Sequence, residues 1–388
     1  MNPAAVPGEV AGRLQSLLAE RTTANEQFFG AEAGRLAGLC HQLAERFAQG
    51  GRLIAIARSP AARSDARHVA VEFVHPVIVG KRALPALAIV GDQVASASLL
   101  TRPDDIVMSF DGAVQAPGCL TIAFTSESGA DWVFTPPVDD PFIRQELIET
   151  LYHVLWELVH VFFEHRGLLA GRSERRGHDA GAASFLYPFL AESEDNLDEV
   201  LDDVRRSVLM KAQEVGALRE QTLTENGATL VAAASAVRAR LEAGATLLAL
   251  GNGGSATDAM DVVADFRARG PAGRSWPAID LTEDAGILTA IANDIGPAAI
   301  YSRQVIAYGH DGDVLLALST SGGSENVIAA LIEARRRGLT TIALVGYDGG
   351  RVAAEGLADH VIITRSQHIP RIQEAQASAY HVLRELVG

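Results

Sequence analysis

The sequence predicts an α/β protein made of two doubly wound parallel-sheet domains in tandem, the first of them degenerate. Three observations predict this fold class. The chain has 388 residues, more than one hydrophobic core usually organises. Short apolar segments of strand length alternate with helical patterns, as they do in a parallel sheet covered by helices on both faces. Two segments of the chain also recur further along it, which indicates a duplication.

The duplication is visible in two pairs of segments. Residues 145–159, QELIETLYHVLWELV, resemble residues 373–387, QEAQASAYHVLRELV, and residues 52–73 resemble residues 245–266. The offset between the copies is 193 residues at the earlier pair (245 − 52) and 228 at the later pair (373 − 145), so the first copy lacks 35 residues in between. We therefore predict a degenerate domain at 1–165, an exposed linker rich in Gly, Arg and Ser at 166–192, and a second domain at 193–388.

The individual elements follow from apolar periodicity. Each copy has an early strand, at 53–57 and 246–250, followed by a loop and a helix. In the second copy, four more apolar segments predict strands at 278–281, 314–318, 341–345 and 360–364. Residues 193–244 predict two amphipathic helices, and residues 327–337 predict a helix after the strand at 314–318.

Composition and charge exclude several classes of function. The formal net charge of −15 opposes the phosphate neutralisation on which nucleic-acid binding depends. The two cysteines, Cys40 and Cys119, lack the spacing of a disulfide framework or a thiolate zinc site. The N-terminal residues show no secretory pattern, and the longest apolar segment, 151–163, contains His153, Glu157 and His160. We expect a cytoplasmic protein that binds neither nucleic acid nor membrane.

Two loops of the second copy carry binding chemistry. Residues 251–255, GNGGS, follow a predicted strand and open a helix, where small residues let backbone N–H groups approach an anion. Residues 319–326, STSGGSEN, lie in the same position after the next strand and offer hydroxyl and amide donors without a fixed cation. The serines also fit a plain helix cap, although a cap needs only one such side chain. We predict a site for a phosphate monoester.

The ordered motifs of the second copy resemble those of the phosphoheptose isomerases, which are sugar isomerase (SIS) domain proteins. The motifs are GNGGSATDAM, AIANDIG, GDVLLALSTSGGSENV, ALVGYDGG and RIQEAQASAYH, within residues 193–388. The resemblance implies an isomerase that interconverts sedoheptulose 7-phosphate and an aldoheptose 7-phosphate through an enediol(ate). The substrate-binding residues that it implies are Asn252, Gly253, Ser255, Asp294, Ser319, Thr320, Ser321, Ser324 and Gln373.

This family typically carries a metal held by His, Glu, Gln and His. The corresponding residues of the first copy are His68, Glu72, Gln145 and His153. Those of the second copy are Asp261, Asp265, Gln373 and His381, with two carboxylates in place of the first His and Glu. The resemblance implies zinc or another divalent metal on the first set. An oxygen-rich site on the second set and purely structural carboxylates stay open as alternatives.

Each copy lacks what the other retains, which predicts a division of labour at the junction of the two domains. In this prediction the second copy binds the phosphate, and the first copy supplies the metal and the proton-transfer groups. The acid/base candidates are Glu72, His153, Asp265 and His381. The loop of the first copy, RSPAA at 58–62, is not expected to hold phosphate. By analogy with isolated SIS domains, we also expect the tandem chain to form a homodimer.

Two other functions stay open. A non-catalytic SIS module that regulates or binds a partner is one, because LTAIAND, GDVLLALST and ALVGYDGG also resemble the DnaA initiator-associating protein, which lacks the closing histidine present here as His381. A nicotinamide-dependent dehydrogenase is the other, and it rests only on the loose GxGxxA pattern at 251–256. A dehydrogenase would leave the 319–326 loop without a role, so no nucleotide cofactor is expected.

Overall fold

The structure is a computed structural model that describes residues 8–77, 81–113, 115–126, 128–164, 169, 196–270 and 273–388. The predicted linker at 166–192 lies outside the described residues except for Leu169. The chain divides into two compact units. The first unit is Thr23–Glu214, and the second unit is Val215–Gly388 together with Met1–Thr22. The division falls inside two long helices, α1 (Gly8–Ala48) and the helix Leu197–Glu225.

The first unit contains a five-stranded parallel sheet of order β2-β1-β3-β4-β5. Its strands are β1 (Leu53–Ala57), β2 (Ala86–Val90), β3 (Ile106–Ser109), β4 (Leu120–Ala123) and β5 (Trp132–Val133). Besides its part of α1, it contains α2 (Pro60–Val74), α3 (Pro141–Glu164), the start of α4 (Leu197–Glu225) and a short 3-10 helix (Gly91–Leu99). The predicted strand at 53–57 is confirmed at its bounds.

The second unit contains a five-stranded parallel sheet of order β7-β6-β8-β9-β10. Its strands are β6 (Leu247–Leu250), β7 (Ala278–Asp280), β8 (Val314–Ser319), β9 (Thr340–Gly346) and β10 (His360–Thr364). The helices are α5 (Gly227–Glu242), α6 (Gly254–Arg267), α7 (Ala285–Asp294), α8 (Ile300–Tyr308), α9 (Glu325–Arg336), α10 (Gly350–Ala354) and α11 (Ile369–Val387). All five predicted strands of the second copy are present, each within two residues of its predicted bounds.

The two sheets have the same strand order and equivalent side-chain hydrogen bonds, here called polar clamps. The duplication is therefore visible in the structure as well as in the sequence. Asp105 accepts a hydrogen bond from the backbone N–H before β1, and Asp313 accepts one from the backbone N–H before β6. Thr121 and Asp131 join β4 to β5, as Thr341 and Asp359 join β9 to β10.

These clamps correct the alignment of the first strands. In the structure Leu53 corresponds to Leu247, because each follows the residue clamped by the aspartate, and the strand offset is therefore 194 (247 − 53) rather than 193. The first unit therefore has one extra residue between β1 and the Asp65 that aligns with Asp258. Sequence similarity alone did not locate this insertion, because both loops are short and the strands that precede them are apolar throughout.

The central strands of each sheet are buried on both faces, as a parallel sheet covered on both sides requires. In the second unit, successive residues of β6 enter two separate cores, Leu247 in one and Leu248 in the other. In the first unit, one face packs into a large core with α1 and α3, whereas the other forms a small cluster around Ile54 and Ile56. Because the first copy lacks 35 residues, fewer residues cover this face of the first sheet. Among the described residues, no helix has the length and apolar character to cross a bilayer.

Candidate functional site

The loop after β6 brings backbone close to the start of α6. Gly251 has no room for a side chain, because a Cβ there would lie 2.1 Å from the backbone oxygen of Ser255. Gly253 adopts a φ of 58°, which disfavours other residues. Asn252 and Gly253 are exposed, while the Ser255 side chain is buried. The sequence therefore forms a tight turn whose exposed backbone and amide face solvent beside a helix N-terminus.

The loop after β8 is held by its own serines. The buried Ser319 hydroxyl accepts a hydrogen bond from the backbone N–H of Gly322 at 3.1 Å, and Ser321 Oγ accepts one from Gly323 at 3.2 Å. Ser324 occupies the N-cap position of α9, but its side chain makes no capping hydrogen bond. Ser319 thus shapes the loop. The side chain of Ser324 is not committed to a cap, which removes the plain-cap explanation for that residue.

An amide pair joins the two loops. Asn252 Nδ2 donates to Asn326 Oδ1 at 2.9 Å, and Asn326 Nδ2 donates to Asn252 Oδ1 at 2.8 Å. Asn326 also accepts from the backbone N–H of Val327 in the first turn of α9. Asn326 is not among the predicted site residues, although it belongs to the 319–326 loop, because its partner Asn252 lies far away along the chain. The pair fixes the spacing of the two loops at the carboxyl ends of β6 and β8.

Asp294 and Gln373 lie on helices other than the two that follow these loops. Asp294 is the exposed last residue of α7, and its carboxylate accepts a hydrogen bond from the Asn293 side chain at 2.7 Å. No hydrogen bond within the described part of the chain joins Asp294 to either loop. Gln373 lies on α11 and is buried. Thr320, at the end of β8, is half-buried.

A buried histidine lies between two carboxylates in the second unit. His381 Nε2 on α11 is 3.3 Å from Asp261 Oδ2 and 3.3 Å from Asp265 Oδ2, both on α6. The Tyr380 hydroxyl donates to Asp261 Oδ2 at 2.9 Å. Burial, reinforced by the neighbouring Asp261, raises the pKa of Asp265 to about 6. The cluster therefore offers a carboxyl group that gains and loses its proton close to neutral pH.

The first unit has a second buried cluster in the same place between α2 and α3. His68 Nε2 lies 3.3 Å from His153 Nε2 and 3.8 Å from Glu72 Oε1. Burial, together with the nearby His153, lowers the pKa of His68 well below its usual value. One ligand atom from each of His68, His153 and Glu149 falls within 4.8 Å of the others. Glu149 was not predicted.

Gln145 also reaches this cluster, but through its nitrogen. Its Nε2 donates to Asp65 at 3.0 Å and to Glu149 at 3.4 Å. Its buried Oε1 has no hydrogen-bond partner in the described structure. Two nitrogens bound to one tetrahedral zinc at about 2.05 Å stand about 3.3 Å apart, so the imidazole separation and the unpaired amide oxygen fit a metal. The same separation also fits a hydrogen bond between neutral imidazoles.

Known proteins resemble the second unit in sequence and the whole chain in fold. The SIS domain family model matches residues 212–346. The chain is 44% identical over 174 residues to the phosphoheptose isomerase of Pelodictyon phaeoclathratiforme, across 44% of this chain and 82% of that protein. It is 39% identical over 186 residues to that of Nitratidesulfovibrio vulgaris, across 48% of this chain and 88% of that protein.

A solved structure extends the likeness to both sheets. The C-terminal domain of glucosamine-fructose-6-phosphate aminotransferase from Francisella tularensis superposes with a TM-score of 0.58 across 96% of this chain and 94% of that one. At 10% identity this is a likeness of fold alone. The predicted tandem of parallel-sheet SIS domains and the predicted family are confirmed. The chain belongs to the phosphoheptose isomerase family of SIS-domain isomerases.

Proposed function

We propose that this isomerase binds a sugar phosphate at the loops after β6 and β8 and interconverts sedoheptulose 7-phosphate and D-glycero-heptose 7-phosphate. The observation that carries the proposal is the pairing of these two loops by Asn252 and Asn326. It leaves exposed backbone and the Ser321 side chain beside the N-termini of α6 and α9. Such termini favour an anion through their N–H groups and their dipoles.

The acid/base chemistry is assigned to the buried cluster of the second unit. Isomerisation removes a proton from C1 of the ketose, passes through an enediolate, and returns a proton to C2. A carboxylate with a pKa near 6 is deprotonated at neutral pH and still basic enough to take such a proton. We assign the base to Asp265. His381, between the two carboxylates, holds Asp265 in place.

A divalent metal in the first unit is a second part of the proposal. The residues that would hold it are His68, His153, Glu149 and Gln145 through its Oε1, with Glu72 close to His68. Compared with the sequence prediction, Glu149 joins the candidate ligands. When bound, such an ion supplies a Lewis acid that stabilises an oxyanion. The division of labour between the units, zinc as the metal and the homodimer stay predictions.

Binding and turnover test the proposal separately. Sedoheptulose 7-phosphate is titrated calorimetrically, and its conversion is followed by NMR, in the wild type and in Ser321→Ala and Asn252→Ala. We expect both variants to bind the sugar phosphate at least several-fold more weakly, because Ser321→Ala loses an exposed hydroxyl donor and Asn252→Ala loses the amide pair that joins the two loops. The matched control is Ser235→Ala, an exposed serine of α5 whose hydroxyl donates to Val231. Unchanged affinity in both loop variants would contradict the binding site.

The same experiment decides between the isomerase and the non-catalytic alternative. Binding with turnover supports the isomerase. Binding without turnover supports a module that only recognises a sugar phosphate, the second function left open by the sequence. The replacement of the family's His and Glu by Asp261 and Asp265 is the specific observation that favours this alternative.

A further inference from the structure

In the first unit, the loop after β1 is held by a side chain that follows β3, the neighbouring strand of the same sheet. Asp111 follows β3, and its carboxylate accepts hydrogen bonds from two backbone N–H groups, Arg58 at 2.7 Å and Ser59 at 2.6 Å. The Arg58 guanidinium donates to the backbone oxygen of Asp111 at 3.0 Å. Ser59 is the N-cap of α2, and its hydroxyl accepts from Ala62. The carboxylate therefore lies at the N-terminus of a 15-residue helix.

The clamped strands show what Asp111 corresponds to in the second unit. With Leu53 matched to Leu247, Arg58 and Ser59 match Asn252 and Gly253, the exposed part of the loop after β6. Asp105 and Asp313 match in the same way, an offset of 208 (313 − 105), which places Asp111 at the position of Ser319. Asp111 therefore reaches, from the second loop, the backbone groups that the second unit leaves exposed.

We propose that Asp111 is an internal anion that fills in the first unit the position that the second unit offers to a phosphate. The inference rests on the proposed sugar-phosphate site of the second unit and deepens it, because it gives the chain one such site rather than two. A carboxylate held at a helix N-terminus by two N–H groups satisfies the groups that would otherwise bind a phosphate oxygen. Because it is tethered, no free phosphate competes with it at ordinary concentrations.

A second feature of the first unit agrees with this assignment. Between β3 and β4 the described residues form no helix, whereas the second unit has α9 between β8 and β9. The first unit therefore lacks the second helix N-terminus that would share an anion with the first. A negative carboxylate at the remaining terminus would also repel an incoming phosphate.

The simpler explanation is that Asp111 only caps α2. The two explanations differ in what its removal leaves behind. If Asp111 stands in a preformed anion position, Asp111→Ser exposes two N–H groups directed at one point. If it only caps a helix, its loss frays the loop and creates no site.

The test measures phosphate stoichiometry on the full chain by calorimetry, first with sedoheptulose 7-phosphate and then with inorganic phosphate. We expect one site per chain in the wild type and a second, weaker site for inorganic phosphate in Asp111→Ser. The matched control is Asp140→Ser, because Asp140 caps α3 by accepting from Phe142 and Ile143, and we expect no added site there. Asp111→Ala, which removes the carboxylate and offers no acceptor to these N–H groups, replaces Asp111→Ser if that variant does not fold.

The outcomes separate this inference from the function on which it rests. Two sites per chain in the wild type overturn the internal anion and leave the proposed function standing. No added site in a folded Asp111 variant, or an equal added site in Asp140→Ser, also overturns it. No binding of sedoheptulose 7-phosphate to the wild type contradicts the proposed function itself.

Discussion

The two units place a buried cluster between equivalent helices but build it from different donors. In the first unit, two imidazoles face each other 3.3 Å apart with glutamates beside them. In the second unit, a single imidazole lies between two aspartates. The first arrangement has the nitrogen ligands of a transition-metal site, and the second has the raised carboxyl pKa of a proton-transfer site. The same pair of helices therefore carries different donor sets in the two units.

The two units also differ in the loops that precede the helices carrying these clusters. The second unit keeps two glycine- and serine-rich loops, joined by Asn252 and Asn326. In the first unit, the described residues between β3 and β4 form no helix, and the Asp111 carboxylate closes the loop after β1. The two units therefore share a buried cluster although their loops differ, because the loop precedes the helix and the cluster side chains lie in the second half of that helix.

The largest expected effect separates the two clusters by activity. Asp265→Asn removes the proposed base and should lower kcat about 10²–10⁴-fold with sedoheptulose 7-phosphate. The division of labour predicts a comparable loss in Glu72→Gln, measured in the same NMR assay. Unchanged turnover in Glu72→Gln beside an impaired Asp265→Asn would confine the chemistry to the second unit and reject the division of labour.

Metal binding should depend on the cluster of the first unit and not on that of the second. We expect His153→Gln to lose bound zinc after dialysis and His381→Gln to retain it, as measured by elemental analysis. Zinc at 100 times its Kd should raise the free energy of unfolding of the wild type by about 2.7 kcal/mol, seen as a higher Tm.

The ligand set sharpens this prediction. Glu149→Gln should weaken zinc binding more than Glu72→Gln, because Glu149 and not Glu72 groups with both imidazoles. Retention of zinc in His153→Gln together with loss in His381→Gln would move the metal to the second unit.

Loop geometry should produce a smaller effect, mostly on stability. Gly251→Ala places a Cβ 2.1 Å from the Ser255 backbone oxygen, so the turn must move. We expect a loss of about 1–3 kcal/mol in the free energy of unfolding and weaker sugar-phosphate binding, checked by urea denaturation and calorimetry. Gly30→Ala is the control, since a Cβ there meets nothing within 4 Å. It should raise stability by about 0.5–1 kcal/mol, the usual gain inside a helix. Equal effects of the two variants would contradict the tight turn.

The titration of Asp265 should have the smallest effect on activity at neutral pH, where most of this carboxyl group is already ionised. The raised pKa of Asp265, about 6, exceeds its unfolded value of 3.8, so the native state binds more protons between these values. Its contribution to stability is therefore present below about pH 4 and is lost as the pH rises to about 6. Asp265→Asn should remove that slope in chemical denaturation, while the activity of the wild type should rise with pH around 6. A slope that persists in the variant would assign it to another group.

The sequence predicted β1, the five strands of the second copy and the two glycine- and serine-rich loops, but not β2–β5 of the first unit or every contact between the loops. The predicted strands follow from apolar segments of three to seven residues, and these are local signals. Glu149, Asn326 and Asp111 became visible only in three dimensions, because each acts through a partner distant in sequence. The repeat itself hid Glu149, since the aligned residue of the second copy is Ala377.

The most direct test of the account is solvent deuterium incorporation. In D₂O, the wild type should turn over sedoheptulose 7-phosphate with deuterium appearing at C2 of the aldose, because an enediolate takes its proton from a group that exchanges with solvent. Asp265→Asn should bind the sugar phosphate and incorporate deuterium at least a hundredfold more slowly. Full incorporation in Asp265→Asn, or wild-type product that stays unlabelled after many reversible turnovers, would contradict proton transfer by the buried cluster of the second unit.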